Sequence, residues 1–450
     1  MEPHDASCLL AKLSGIASSE MDKEVAQALD YQPLALASAA TYVRQVRQNK
    51  ATSNFGWNEF LKKLDTGQRG TTEFILAETN PSYQNSMTAA TTLAVKTQMT
   101  SDKVIDHTFR FLYLCAPQPL SLDIVISYIL DVDEEIKDKE MISMMIQRCS
   151  LLLFEEEETG VYIRVHQVVH DVINIVIEDL PEIQRFQVVN GALRSFNKFM
   201  VENDLSEEWE GFDSRVNSKH IVPHLKTLII KIEHLCSKQK ISQVIQSCIF
   251  NIQFYPRIFQ NLGQMCINHC EVYTAKKFYY MALEFLQRSD VCDDVELAAA
   301  FSRIGNVHSH LGDLQQAKEY YDRALAIRLK KLGPEHVDVA NIYNNLGLVH
   351  SDLVYTKGWV PWQQAKEYHD RALAILLKKL GPEHVDVANS YNNLGLVHGQ
   401  LGNLQQAKQC FDPALAIFLK KLGPEHVCVA TVQRNITKLQ QSQGLYSTLN

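Results

Sequence analysis

The block Leu332-Gly-Pro-Glu-His-Val-Asp-Val-Ala340 returns at Leu380–Ala388 and again, with Cys428 in place of the aspartate, at Leu422–Ala430. Near-verbatim repetition restricts a fold more than composition does. A unit this short cannot bury its own apolar face, so it buries that face against copies of itself. The C-terminal part is therefore predicted to be a solenoid offering one continuous surface to a partner, and binding is the first function class to consider.

Aligning on the recurrent Leu/Ile-Gly pair gives Leu262-Gly263, Ile304-Gly305, Leu346-Gly347 and Leu394-Gly395, at intervals of 42, 42 and 48 residues. Downstream of each pair stand Ala275, Ala317, Ala365 and Ala407, and seven residues later Ala282, Ala324, Ala372 and Ala414. Between these alanines lie Tyr279, Tyr321, His369 and Phe411. Small residues on one helix face let two antiparallel helices approach closely, and the ring fills the space beside them. Each unit is predicted to be a helical hairpin.

The order Leu-Gly, Ala, aromatic, Ala resembles the tetratricopeptide (TPR) signature. The 42-residue period and the Leu-Gly-Pro-Glu-His connector resemble the repeats of kinesin light chains and nephrocystin-3-like proteins. This resemblance covers about residues 250–443. The first copy is degenerate, and Glu425–Gln443 supplies only a first helix, as an end cap does. Two departures stand out. Asp412-Pro413-Ala414 replaces Asp-Arg-Ala, and proline inside a helix predicts a kink or an early stop. Six extra residues around Val354–Trp359, followed by Pro361-Trp362, predict either a contact patch or a loop folded back onto the stack.

On the first helices, Ile342, Tyr343, Leu346, Gly347, Val349 and His350 share the inward face. The opposite stripe carries Asn341, Asn344, Asn345, Leu348 and Asp352, then Asn389, Asn392, Asn393, Leu396 and Gln400. Ser302, Arg303, Asn306 and His310 precede them, and Arg434, Asn435 and Lys438 follow. In TPR stacks this stripe lines the concave groove, so the resemblance implies that these residues meet the ligand. Asparagine both donates and accepts, which suits the backbone of an extended peptide. Alternatively, the asparagines are solvated residues copied by duplication. Simultaneous mutation of Asn344 and Asn392 is expected to weaken capture without lowering the melting temperature.

Histidines recur as His308, His350, His398 and as His336, His384, His426. Equivalent positions of neighbouring hairpins lie about 8–10 Å apart, too far to share a zinc whose nitrogen ligands sit at about 2.0–2.1 Å, so packing and turn roles are predicted. Cys266 and Cys270, flanking His269, read as core thiols. The ten cysteines show neither metal spacing nor the density of a secreted scaffold, so they read as reduced thiols, and no metal is expected.

The first half reads as helices over Ser7–Ile16, Glu20–Leu29 and Leu34–Arg44, with Pro33 as a start signal. The run from Leu29 to Ala40 resembles the Gly-x-Pro segment of STAND (NB-ARC-type) ATPases, where that proline lies against adenine; here Tyr31 replaces the glycine. Helices between 104 and 178 enclose Leu151–Phe154, a turn at Thr159-Gly160 and alternating Tyr162–Val165, which is a winged-helix pattern. It also resembles the winged-helix domain of the same class, whose Met-His-Asp motif would fall at Val165-His166-Gln167, with His166 toward the ADP phosphate. Pro33 and His166 are thus the candidate cofactor-binding residues, as vestiges. No Gly-x-x-x-x-Gly-Lys-Ser/Thr occurs in the chain, so no catalytic residues are expected and no cofactor, save residual ADP were an upstream nucleotide module present.

The fold class expected is all-α in the main: a TPR helical-hairpin solenoid preceded by a helical domain and a winged-helix-like domain with a small β-hairpin. The boundaries expected are 1–100 helical, 101–180 winged helix, 181–250 helical connector, 251–443 solenoid of four hairpins plus a capping helix, and 444–450 tail. A formal charge of −8 and the run Glu155–Glu158 at the base of the wing argue against nucleic acid. The start Met1-Glu-Pro-His-Asp carries no basic-then-apolar leader, and no run of about 18 apolar residues occurs, so no membrane partner and a cytoplasmic location are expected. The function expected is a non-catalytic scaffold binding a peptide segment of a protein partner, with self-association through the solenoid as a further expectation. The alternative is the C-terminal part of a STAND signalling ATPase acting in innate-immune or apoptosis-like signalling. A kinesin-light-chain-like cargo adaptor would need a heptad coiled coil before the repeats, where the winged-helix pattern stands instead.

Overall fold

The computed structural model describes residues 1–17, 20–29, 31, 33–48, 54–67, 84–202, 220–237, 255–288, 293–357 and 362–449. The chain divides into two compact units, Met1–Asn251 with Gln264–Thr274 and Ile252–Gly263 with Ala275–Asn450.

The first unit opens with α1 (Pro3–Ser14), α2 (Glu20–Ala28), α3 (Pro33–Gln48), α4 (Trp57–Gly67) and α5 (Gln84–Ser101). Proline starts both α1 and α3, where its missing N–H costs no intrahelical bond. Ahead of α3, Tyr31 adopts a left-handed φ of 54° and its N–H closes on the Ala26 carbonyl at 2.8 Å. The backbone thus keeps, with a tyrosine, a conformation that glycine enters at lower cost.

The order α6 (Lys103–Leu112), β1 (Leu120–Ser121), α7 (Leu122–Val132), α8 (Lys139–Gln147), β2 (Leu152–Glu157) and β3 (Gly160–Val165) is a winged helix. Asp102 caps α6 by accepting from the N–H groups of Val104 and Ile105. The sheet is antiparallel in the order β1-β3-β2, with Leu120 and Phe154 flanking Ile163. A hairpin alone was predicted. The two-residue β1 adds a third strand too short to carry an alternation signal. Helices α9 (Gln167–Glu178), α10 (Glu182–Glu202) and α11 (Ile221–Ser237) follow in the same unit. Phe111 packs against Tyr128 with tilted rings and stacks on Phe196, at 4.7 and 5.5 Å between centroids, and Gly191 lets α10 approach Tyr128.

Helices α12 (Tyr255–Asn268) and α13 (Val272–Arg288) each carry residues of both units. The second unit continues as antiparallel helix pairs: α14 (Asp294–His310) with α15 (Leu314–Leu332), α16 (Val337–Lys357) with α17 (Trp362–Leu380), and α18 (Val385–Gln400) with α19 (Leu404–Leu422). A single helix, α20 (Val427–Leu449), follows them. The repeated alanines are all fully buried. Each repeated glycine faces the ring of its own second helix. A Cβ on Gly263, Gly305, Gly347 or Gly395 would lie 2.5–2.7 Å from Tyr279, Tyr321, His369 or Phe411. That close approach, not backbone freedom, is why glycine stands there.

Two expectations are corrected. Helix α19 runs from Leu404 to Leu422 with Pro413 inside it, so the early stop does not occur. The carbonyl deprived of its partner belongs to Gln409, an exposed residue, which water can serve. Cys266 is buried, but Cys270 is exposed, with a φ of 62°. It occupies the turn position where later repeats place Gly312 (φ 79°) and Gly402 (φ 77°). In all three turns the following N–H, of Glu271, Asp313 or Asn403, reaches back to the carbonyl of Cys266, His308 or His398 at 2.8–2.9 Å.

Candidate functional site: the face of the first helices

The repeats set α14, α16, α18 and α20 side by side, and hydrogen bonds tie them together. The Asn345 amide donates to Asn306 Oδ1 at 3.2 Å, Asn344 donates to Ser390 Oγ at 2.6 Å, and Asn435 donates to Asn392 Oδ1 at 3.0 Å. Second helices join in: Tyr321 donates to Asn306 at 2.6 Å, and His369 Nδ1 donates to Asn344 Oδ1 at 3.1 Å. Because Oδ1 of Asn344 accepts, His369 carries its proton on Nδ1, and its Nε2 lies bare against Gly347. Sequence spacing grouped all these asparagines as one ligand stripe. The structure separates them. Asn306, Asn344, Asn345, Asn392 and Asn435 are half-buried and bond across helices, so losing Asn344 should lower stability, contrary to the sequence expectation. Ser302 is likewise half-buried and donates to its own helix at the Ala298 carbonyl.

The exposed remainder is narrower: Asn341, Leu348, Asn389, Leu396, Arg434 and Lys438. Leu348 and Leu396 are 40% and 41% exposed at the same repeat position. Arg303 and Asn393 are half-buried between these groups, and the Arg303 guanidinium lies 6.0 Å from the Tyr279 ring. Trp362 begins α17, whereas Trp359 and Pro361 lie outside the described residues.

The histidine rows serve architecture. His308, His350 and His398 are buried. His308 stacks on Tyr320 at 5.6 Å and pairs its Nε2 with the Tyr280 hydroxyl at 2.9 Å, while His350 packs on Tyr368 at 5.2 Å. Burial pulls all three below the usual imidazole pKa, and pulls His369 down to about 4. In the connectors, Nδ1 of His336, His384 and His426 accepts the N–H of Asp338, Asp386 and Cys428 at 3.1–3.2 Å, so each histidine caps the helix it precedes. Among the described residues no cluster of three or more His, Cys, Asp or Glu could hold a metal, and no helix is long and apolar enough to cross a membrane.

In the first unit, His166 is exposed and caps α9, accepting from Val168 N–H at 3.4 Å, and Pro33 is exposed at the start of α3. A cavity of about 750 Å³ lies between Thr41, Arg44, Gln98, Asp102, Arg148 and Cys149, and its described lining includes neither Pro33 nor His166. The Cys149 thiol donates to Gln98 at 2.8 Å, and burial pushes its pKa up to about 12.

Residues 296–353, 361–412 and 386–448 match the family model of the tetratricopeptide repeat. This segment is a TPR array. The degenerate hairpin α12–α13 precedes the matched residues. Solved structures similar to the chain include BtubC (BKLC) of P. vanneervenii, 21% identical over 49% of this chain and 84% of that one, with a TM-score of 0.40. A putative kinesin light chain of Podospora anserina with nearly identical TPR-like repeats is 21% identical over 43% and 88%, with a TM-score of 0.35. A STAND protein of Pyrococcus horikoshii with a tetratricopeptide repeat sensor is 13% identical over 99% of this chain and 58% of that one, with a TM-score of 0.43. No curated protein sequence matches the chain.

Proposed function

We propose that the TPR array is a non-catalytic scaffold that captures an extended segment of a protein partner along the face of α14, α16, α18 and α20, in the cytoplasm. One observation carries this reading. Leu348 and Leu396 recur in register, half-open to solvent, with the exposed amides of Asn341 and Asn389 two helical turns before them. Apolar side chains spaced by a repeat, on helices that also expose amide groups, suit a peptide that needs both side-chain burial and backbone pairing. The second helices present Ala374 and Ala416 at exposed positions, which furnishes an internal control. A photo-crosslinking amino acid at Leu348 or Leu396 of the full chain is expected to capture a partner that the same group at Ala374 or Ala416 does not. Equal capture from both faces, or capture from the second helices alone, overturns the reading.

A second reading, a nucleotide-switched STAND protein, draws support from the left-handed Tyr31 ahead of Pro33, a backbone suited to the family's glycine. Titration of the full chain with ADP tests it. A melting temperature that rises with ADP concentration supports it, since a ligand of the folded state raises stability, and no shift at millimolar ADP removes it.

A further inference from the structure

Four positions, Asn306, Leu348, Leu396 and Lys438, are equivalent in successive repeats and form one column across α14, α16, α18 and α20. The column reads polar, apolar, apolar, cationic. Arg434 stands one helical turn before Lys438 on α20, and both are exposed, so the cationic end is doubled. The cross-helix bonds from Asn345 to Asn306 and from Asn435 to Asn392 show that these helices are direct neighbours.

Neighbouring packed helices stand about 8–10 Å apart. A polyproline II chain rises about 3.1 Å per residue with three residues per turn, so one turn covers about 9 Å and returns a side chain to the same side. A β-strand returns a side chain to the same face after two residues, about 6.6 Å, and falls out of step with the column after a single repeat. The polyproline II backbone forms no internal hydrogen bonds, which leaves its carbonyls open to polar side chains of the groove.

We propose that the groove selects a polyproline II-like peptide carrying apolar side chains at i and i+3 over Leu348 and Leu396, and a carboxylate at i+6 toward Lys438 and Arg434. This rests on the groove reading above and adds the partner's chemistry. Charge complementarity fixes which end of the column takes the acid.

The test uses the full chain and fluorescein-labelled peptides followed by fluorescence polarisation: Gly-Leu-Pro-Pro-Leu-Pro-Pro-Glu-Gly, and the reversed order to cover both chain directions. One of the two is expected to bind at least about tenfold more tightly than Gly-Leu-Pro-Leu-Pro-Glu-Gly, which has strand spacing, and than the versions with both leucines changed to serine or the glutamate to lysine. Lys438→Glu is expected to weaken the glutamate peptide about tenfold and to favour the lysine peptide. This reversal of preference cannot come from a misfolded protein. Equal binding of the two spacings, an unaltered preference in Lys438→Glu, or no binding of any of these peptides overturns the proposal. If crosslinks from Leu348 still mark the first-helix face while these peptides fail, only the partner's chemistry is refuted and the groove stands.

Discussion

Replacing Gly395 by alanine isolates the contact that fixes the hairpin geometry. A Cβ at this position would lie 2.6, 2.8 and 3.0 Å from Cε1, Cδ1 and Cζ of Phe411. Phe411 cannot retreat, because it is buried along with Ala407 and Ala414 of its own helix in one apolar core. Overpacking of this kind costs about 1–3 kcal/mol. Alanine in place of a helical glycine returns about 0.5–1 kcal/mol, so a net loss of about 1 kcal/mol, and at most about 2.5 kcal/mol, is expected. Gly399, one turn further along α18, supplies the contrast: its added Cβ would meet nothing closer than Leu439 at 3.9 Å. Gly399→Ala should therefore stabilise by about 0.5–1 kcal/mol, the propensity gain alone. Urea and thermal unfolding of the full chain measure both. Combining Gly395→Ala with Phe411→Ala gives a double-mutant cycle in which removing the ring should make the added methyl nearly harmless. If Gly395→Ala unfolds no earlier than Gly399→Ala, the ring-on-glycine explanation of the repeat is wrong.

Acidification should weaken the array through its neutral, buried histidines. His369 titrates at about 4 in the folded chain, against about 6.5 when unfolded, so between these values the unfolded state binds the extra proton. Its contribution is complete above pH 6.5 and is lost as pH falls toward 4, amounting to about 2 kcal/mol between pH 7 and pH 5. His369→Phe, which copies Phe411 of the next repeat, should flatten the dependence of the melting temperature on pH over that window; an unchanged slope would assign the effect to other groups. Cys270→Gly should stabilise by about 1 kcal/mol in chemical denaturation, because glycine relieves the left-handed φ of an exposed residue. Asn344→Ala should destabilise by about 1–3 kcal/mol, since it strands the buried His369 Nδ1–H and the buried Ser390 hydroxyl. A melting temperature equal to that of the parent chain would return Asn344 to the ligand stripe.

The hairpins were legible in the sequence because repetition displays the register: Gly, Ala, ring and Ala recur at fixed offsets, and each lands at the buried helix pair. The winged helix was readable from its hairpin, whereas β1 was not, because two residues carry no period. The site was only half legible. Spacing on a helix tells which side a residue occupies, not whether a neighbouring helix has already taken its hydrogen bonds. Asn341 and Asn344 look alike in sequence, yet one is exposed and the other is spent on His369 and Ser390. Cys270 misled for a related reason. Its place among apolar residues suggests a core thiol, and only alignment with Gly312 and Gly402 reveals a turn.

The most direct test of the account is hydrogen exchange of the full chain, alone and bound to the protein trapped by crosslinks from Leu348. The account predicts slowed exchange over α16, α18 and α20, with α15, α17 and α19 unchanged. Protection centred on the second helices, or confined to Met1–Asn251, would contradict it.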